Sequence, residues 1–404
     1  MATATMPAGE DVLVEPAPKG LTRGGAARLD AIDMLRGLVI AIMALDHTRD
    51  FFHYYAQRFD PTDPAKTWPM LFATRRVTHL CAPTFVFLAG ISIYFQKANG
   101  KTDLSAFLLK RGLWLILLEI TVVSFGFNFG EPFISLQVIW AIGASMIVMG
   151  LIARLPARWG LVLGLAILLL YPFVVSATTD AHGVLGIVRM LAIAPGMIPG
   201  VPIRVRYAAI PWLAVMCLGY GLGAIYRLPQ AERRRLLLPL AIGLLLAFLT
   251  LRLFDGYGDP AAWSIQATST RTSLSFMNVS KYPPSPDYVF ATLGISILLF
   301  LMLESVRGPV AKVLLAFGRT PLFTYVCHLY ILHFLMVAAV LATGFPFSTA
   351  THVVYLSGIV QANWGFSLVV VYSVWLLALA LLIPLSLWFA GVKARRRDWW
   401  LSYL

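Results

Sequence analysis

From about residue 34 onward, apolar stretches of roughly 20 residues alternate with shorter polar segments. A stretch of that length crosses a ~30 Å hydrocarbon core as a helix. In lipid the helix is also the form that satisfies its own backbone groups. The pattern predicts spans near 34–55, 77–96, 106–126, 134–153, 159–176, 207–226, 236–254, 287–305, 321–342 and 367–390. That is an all-α, polytopic transmembrane bundle of about ten helices. Residues 1–29 are polar and rich in Gly, Pro and Ala, with no apolar core of a signal peptide, and read as a flexible cytoplasmic tail. Residues 30–392 read as one transmembrane domain and 393–404 as a basic cytoplasmic tail, its Trp399-Trp400 pair an interfacial anchor.

Composition narrows the function classes. Hydrophobic residues make up 59% and charged residues 13%, against about 25% charged in a soluble domain. With a mean hydropathy of +0.78, this excludes a soluble enzyme, a disordered chain and a nucleic-acid-binding module. The net charge of +13 fits a multispan protein whose basic residues gather in cytoplasmic loops. With both termini inside, most of the 32 Lys and Arg do so. The exceptions are concentrated after the first span, at Arg49, Arg58, Lys66, Arg75 and Arg76. The outer connections at 54–76, 177–206 and 255–286 are the long ones, and long connections in compact proteins are usually functional. Cys81, Cys217 and Cys327 are scattered in apolar runs, as buried, unreactive thiols are. Neither a disulfide framework nor a metal site has this spacing.

The chemistry sits where charge interrupts grease. The first span holds Arg36-Gly37 near its start and Asp46-His47-Thr48-Arg49-Asp50 near its end. Ionisable groups in such a helix face a cavity or the bundle interior. A carboxylate next to His47 would orient it and raise its basicity, as a general base requires; the plainer reading is a polar helix end. The second span opens Arg75-Arg76-Val77-Thr78-His79 and reaches Pro83, which frees the carbonyl of His79. His79 would lie at the depth of His47, or else be a helix-end histidine beside snorkelling arginines. Glu119 is a lone carboxylate in the third span, functional or paired with an arginine or tyrosine.

Later in the chain, Thr320-Pro321 reads as an N-cap and first helical residue beside Arg319, with His328 and His333 further along the same helix. Those histidines would line a passage or simply be packed. Lys281 and Tyr282 sit in a proline-stiffened outer segment ending Pro283-Pro284-Ser285-Pro286. Gly219-Tyr220-Gly221-Leu222-Gly223 has the small-residue spacing of close helix packing. The chain carries no GxSxG, Walker, HExxH or DxD sequence.

Arg28-Leu29-Asp30-Ala31-Ile32-Asp33-Met34-Leu35-Arg36-Gly37 followed by Ala44-Leu45-Asp46-His47-Thr48-Arg49-Asp50-Phe51-Phe52 resembles the opening of bacterial membrane proteins related to heparan-alpha-glucosaminide N-acetyltransferase. Thr78 to Gly90 is similar to their second helix, and Lys281 to Ser285 and Gly318 to Phe323, with His328 and His333, to later segments. The resemblance runs over about residues 28–345 and implies a transmembrane acyltransferase of a bacterial inner membrane. Such a protein would pass an acetyl group from cytoplasmic acetyl-CoA to the amine or hydroxyl of a sugar-like or glycan acceptor outside, without a metal and without nucleic acid. The family's catalytic histidine corresponds to His47 or to His53.

On this reading His47 is the base, oriented by Asp46 or Asp50, and His79 or the Arg75-Arg76 pair stabilises the oxyanion. Arg36, Lys110, Arg111 and Arg319 hold the CoA phosphates, and Arg49, Arg75, Arg76, Lys281, Tyr282, His328 and His333 contact substrate. The expected partners are the lipid bilayer, acyl-CoA and the acceptor, with a homodimer as one option. Two competing readings are a proton-coupled transporter or flippase of a small anionic or lipid-linked solute, and a non-catalytic scaffold.

Overall fold

The computed structural model describes residues 22–130, 132–351, 358–396 and 398–402. Most of the expected tail, 1–21, and Arg397 with the last two residues of the basic C-terminal tail lie outside them. Every stretch read as a span falls on helix, but the boundaries and the interruptions differ in ways that build the site.

Helix α1 runs Thr22–Phe52, so part of the expected tail belongs to it. The second span is divided: α2, Pro69–Thr78, stops at a turn over His79 and Leu80, and α3 resumes at Cys81–Ala98. Pro83 explains the break, because it cannot donate to the carbonyl of His79; the Tyr288 hydroxyl donates to that carbonyl instead, at 2.7 Å. α4, Leu104–Leu118, passes through a π-turn at Glu119–Val123 into α5, Ser124–Asn128. The fourth stretch begins as a strand, β1 (Ile134–Leu136), before α6, Val138–Ile152.

Then come α7 (Ala157–Ala177), α8 (Gly183–Ala192), the strands β2 (Gly196–Met197) and β3 (Ile203–Val205), α9 (Ala209–Tyr226) and α10 (Gln230–Phe254). β1 pairs parallel with β3, and β2 antiparallel with β3. The bundle is therefore not purely α-helical: a small sheet closes one end. The remainder is α11 (Ser269–Met277), α12 (Pro286–Leu303), α13 (Pro309–Arg319), α14 (Pro321–Ala342), α15 (Gly358–Gln361) and α16 (Leu368–Arg395). α13 lies in a stretch read as a connection, and α16 takes in the first residues of the expected basic tail.

Among the described residues, seven helical segments are long and apolar enough to cross a membrane, with α2 and α3 counted as one segment. Several turn large apolar side chains outward, Leu170 and Phe173 on α7 being about 60% exposed. That is the surface of an integral membrane protein, whose surrounding hydrocarbon is as apolar as its own core.

Two close approaches set the frame. α1 lies against α13 through Gly37 and Gly318, where an added Cβ would fall inside the carbonyl groups of Leu314 and Asp33. α3 and α9 meet the same way at Gly90 and Gly219, as expected for the small-residue stretch of α9. Close packing of α1 on α13 and α14 brings the end of one apolar run beside the middle of another nearly 300 residues away.

Candidate active site

The last two turns of α1 carry the densest cluster of charge. Asp46 accepts hydrogen bonds from Arg75 Nη1 at 2.7 and 2.6 Å and from the Thr78 hydroxyl at 2.9 Å. Arg49 approaches it at 3.1 Å and reaches Asp50 at 2.5 Å. Asp46, Arg49 and Arg75 are buried, and a desolvated charge persists only when paired this closely. Arg49 Nη1 has no hydrogen-bond partner among the described residues.

Asp46 and Asp50 thus serve the arginines, and the expected orientation of His47 by either carboxylate is corrected. His47 Nδ1 lies 2.7 Å from His328 Nε2 on α14, with the two rings stacked at 5.0 Å. One of these nitrogens donates to the other, and the Nε2 edge of His47 points away from the bond. Phe127 and Tyr325 pack edge-on against His47, at 5.1 and 6.2 Å. His328 is fully buried, and its Nδ1 has no side-chain hydrogen-bond partner among the described residues, the backbone of Thr324 and Tyr325 lying beside the ring.

The other expected residues separate into groups. Both ring nitrogens of His333 face carbonyls, of Gly126 and Ala350, each at 2.7 Å, and Phe129 stacks on its ring. With both nitrogens engaged, His333 holds α14 to its neighbours; the expected contact of His333 with substrate is corrected. Glu119 accepts from the backbone N–H of Trp140 at 2.8 Å. It therefore caps α6 from a neighbouring helix, a role that the sequence reading, with arginine or tyrosine partners, did not contain. His79 Nδ1 lies 3.1 Å from Arg76 Nη1. Thr320 stands at the N-cap position of α14 without capping it, since its hydroxyl donates to Ala316.

Two cavities flank the histidine pair. At the end of the bundle where α1 begins, a cavity of about 750 Å³ is lined by Arg36, Lys101, Arg111, Arg319 and Lys393, and deeper in by Met43, Phe85, Ile139, Met146 and Tyr325. Lys110 is exposed and lines neither cavity, so its expected role beside Arg111 is corrected. Lys101 and Lys393 were not anticipated, the second because it was read as part of a tail. Arg36 bonds Asp33, the Gly318 carbonyl and Ser92, while Arg319 bonds Asp30 at 2.7 Å.

At the opposite end, a cavity of about 550 Å³ is lined by Arg49, Asp50, His53, Arg75, His79, Lys281 and Tyr282, with Arg204, Arg206 and Asp259. Met43 of the first cavity and Asp50 of the second are about 10 Å apart along α1, at 1.5 Å per residue. His47 stands between them. Arg252 holds the outer wall of the second cavity: its guanidinium donates to the carbonyls of Ala261, Ser275, Phe276 and Asn278.

Two groups on that wall have displaced acidities. His53, one residue past α1 and packed near Tyr55 and Trp68, is lowered to about 4 by burial and by Arg49, against the opposing charge of Asp50. Burial raises the Tyr282 phenol, but Lys281, Arg206 and Arg75 outweigh it and bring it to about 7. The Tyr207 hydroxyl lies 3.3 Å from that of Tyr282, and its own acidity moves the other way through burial and the charge beside it. A tyrosinate-absorbance titration is therefore expected to show one phenol ionising near pH 7 in the wild type and none there in Tyr282→Phe. Superimposable curves would remove the phenolate from the site.

A family model described as heparan-alpha-glucosaminide N-acetyltransferase, catalytic, matches residues 28–252, more than half of the chain. The match contains Asp46, His47, Arg75 and His79; Lys281, Tyr282 and His328 lie beyond it. No curated protein matches the chain.

Proposed function

The chain belongs to the heparan-alpha-glucosaminide N-acetyltransferase catalytic family, a family of membrane acetyltransferases, and we propose that it carries an acetyl group across a bacterial inner membrane from acetyl-CoA to a sugar-like acceptor. The observation that supports this most is the placement of the buried His47–His328 pair between two unlike cavities, one reaching Met43 and Tyr325 and the other Arg49 and Asp50. The first has the chemistry of an acyl-CoA site: five cationic side chains for phosphates, then an apolar interior for the pantetheine arm and the thioester. The second is polar and charged, as an acceptor with many hydroxyls needs.

Both termini are cytoplasmic in this proposal, so the first cavity faces the cytoplasm and the second the outer side. His47 Nε2 takes the proton of the attacking amine or hydroxyl. Arg49, buried and paired with Asp46 and Asp50 but with one N–H still to satisfy, stabilises the developing oxyanion. His79, Lys281 and Tyr282 position the acceptor. His53, held neutral on the outer wall, is a second contact for it rather than the base, since it lines the second cavity itself.

The test uses purified full-length protein in sealed vesicles, with labelled acetyl-CoA on one side and glucosamine enclosed on the other. Labelled N-acetylglucosamine is expected inside. Product formed only when both reactants share a side would overturn the cross-membrane reading. Solute uptake driven by a proton gradient, with no CoA bound, would favour the transporter.

A further inference from the structure

Acetyl transfer has a proton problem that a single base does not solve. The acceptor loses its proton on one side of the septum, while the departing thiolate must gain one on the other. The septum holds two imidazoles joined in series. His47 lies one turn before Asp50, which lines the outer cavity, and His328 is packed 5.2 Å from Tyr325, which lines the cytoplasmic cavity. The bond between them uses His47 Nδ1 and His328 Nε2. This leaves the far nitrogen of each ring as an entry or exit point, and the one on the fully buried His328 lies beside the backbone of Thr324 and Tyr325, with no side-chain partner among the described residues.

We propose that His47 and His328 form a two-ring proton relay in which His328 Nδ1–H protonates the CoA thiolate as it leaves. The proposal rests on the acetyltransferase reading above. Before reaction, His47 carries its proton on Nδ1 and donates to His328 Nε2; His328 carries its own on Nδ1. The acceptor nitrogen attacks the thioester carbonyl, its N–C bond forms and the C–S bond breaks. The acceptor proton goes to His47 Nε2, the His47 Nδ1 proton passes to His328 Nε2, and the His328 Nδ1 proton goes to sulfur. The products are the acetamide and the neutral thiol, and each imidazole ends as its other neutral tautomer. Neither ring holds a net charge in this buried layer, which a single histidine base would have to do. The pair resets when His47 Nε2 releases a proton to outer water, the shared proton moves back, and His328 Nδ1 takes one up from the cytoplasmic side.

The test separates the relay from mere orientation. His328→Gln keeps an amide near the position of Nε2, so it still bonds His47, but it cannot pass a proton. Single-turnover transfer to glucosamine is measured with two donors, acetyl-CoA and an S-acetyl ester of an acidic aryl thiol, whose thiolate needs no proton to leave. Thermal unfolding with and without CoA confirms that the variant is folded, and His328→Asn serves if the glutamine variant is not. The expected result is a loss of about 100-fold with acetyl-CoA and a rate near wild type with the aryl donor. Equal losses with both donors would make His328 an orienting residue and overturn the relay while leaving the acetyltransferase standing. An undiminished rate with acetyl-CoA would do the same. Transfer from neither donor by the wild-type protein would overturn both.

Discussion

His47→Gln is expected to reduce transfer from acetyl-CoA by about 1,000-fold, within the range of a positioned general base, while CoA still binds. The reason is placement. The cavity proposed for the donor is built from Arg36, Lys101, Arg111, Arg319 and Lys393 and ends at Met43 and Tyr325, so removing the imidazole one turn beyond Met43 leaves that cavity whole. An acceptor amine in the outer cavity would meet an amide without a basic lone pair. The loss should appear with acetyl-CoA and with an activated donor alike, because the acceptor must shed its proton in both cases. Equilibrium binding of CoA and single-turnover rates, measured on the same preparation, check the split. A variant that binds CoA normally and transfers at the wild-type rate would move the base elsewhere, His53 being the first alternative.

Asp46→Ala is expected to destabilise the protein by about 3–5 kcal/mol, the range for breaking a buried ion pair from one side. Asp46 stands between Arg75 at 2.6 Å and Arg49 at 3.1 Å. Its removal leaves two buried guanidiniums facing a cavity with Lys281 and Arg206 on its wall. Repulsion then adds to the desolvation that the carboxylate offset. The double variant Asp46→Ala with Arg75→Met should recover much of the loss, since it removes the uncompensated charge together with its partner, and contacting residues do not act additively. Melting temperatures of the single and double variants read this directly. If the single variant melts with the wild type, water in the outer cavity already screens the cluster and the triad does not hold α1 to α2.

Much of this molecule was legible along the chain. Apolar length placed each expected span on helix, although seven segments rather than about ten are long and apolar enough to cross a membrane among the described residues. The cost of charge in an apolar run singled out Asp46, His47, Arg49 and His328. Pro83 announced a released carbonyl at His79, and the structure fills it with Tyr288. The interruptions were less legible. β1 is three residues long and was hidden inside an apolar run. α13 is an amphipathic helix too short to read as a span. Glu119 opens the π-turn and its carboxylate reaches the first turn of α6, a contact between neighbours that periodicity does not encode.

The sequence by itself determined that the protein lives in a membrane, and which side chains are too costly there to be idle; both follow from transfer energies that each segment carries with it. Which of those side chains meet was decided only by tertiary packing. Asp46 is next to His47 in the chain, yet it turns to Arg75, and His47 pairs with a histidine 281 residues away. Neutralising two buried arginines outweighs orienting one neutral imidazole, and that balance exists only once α2 and α14 have closed on α1.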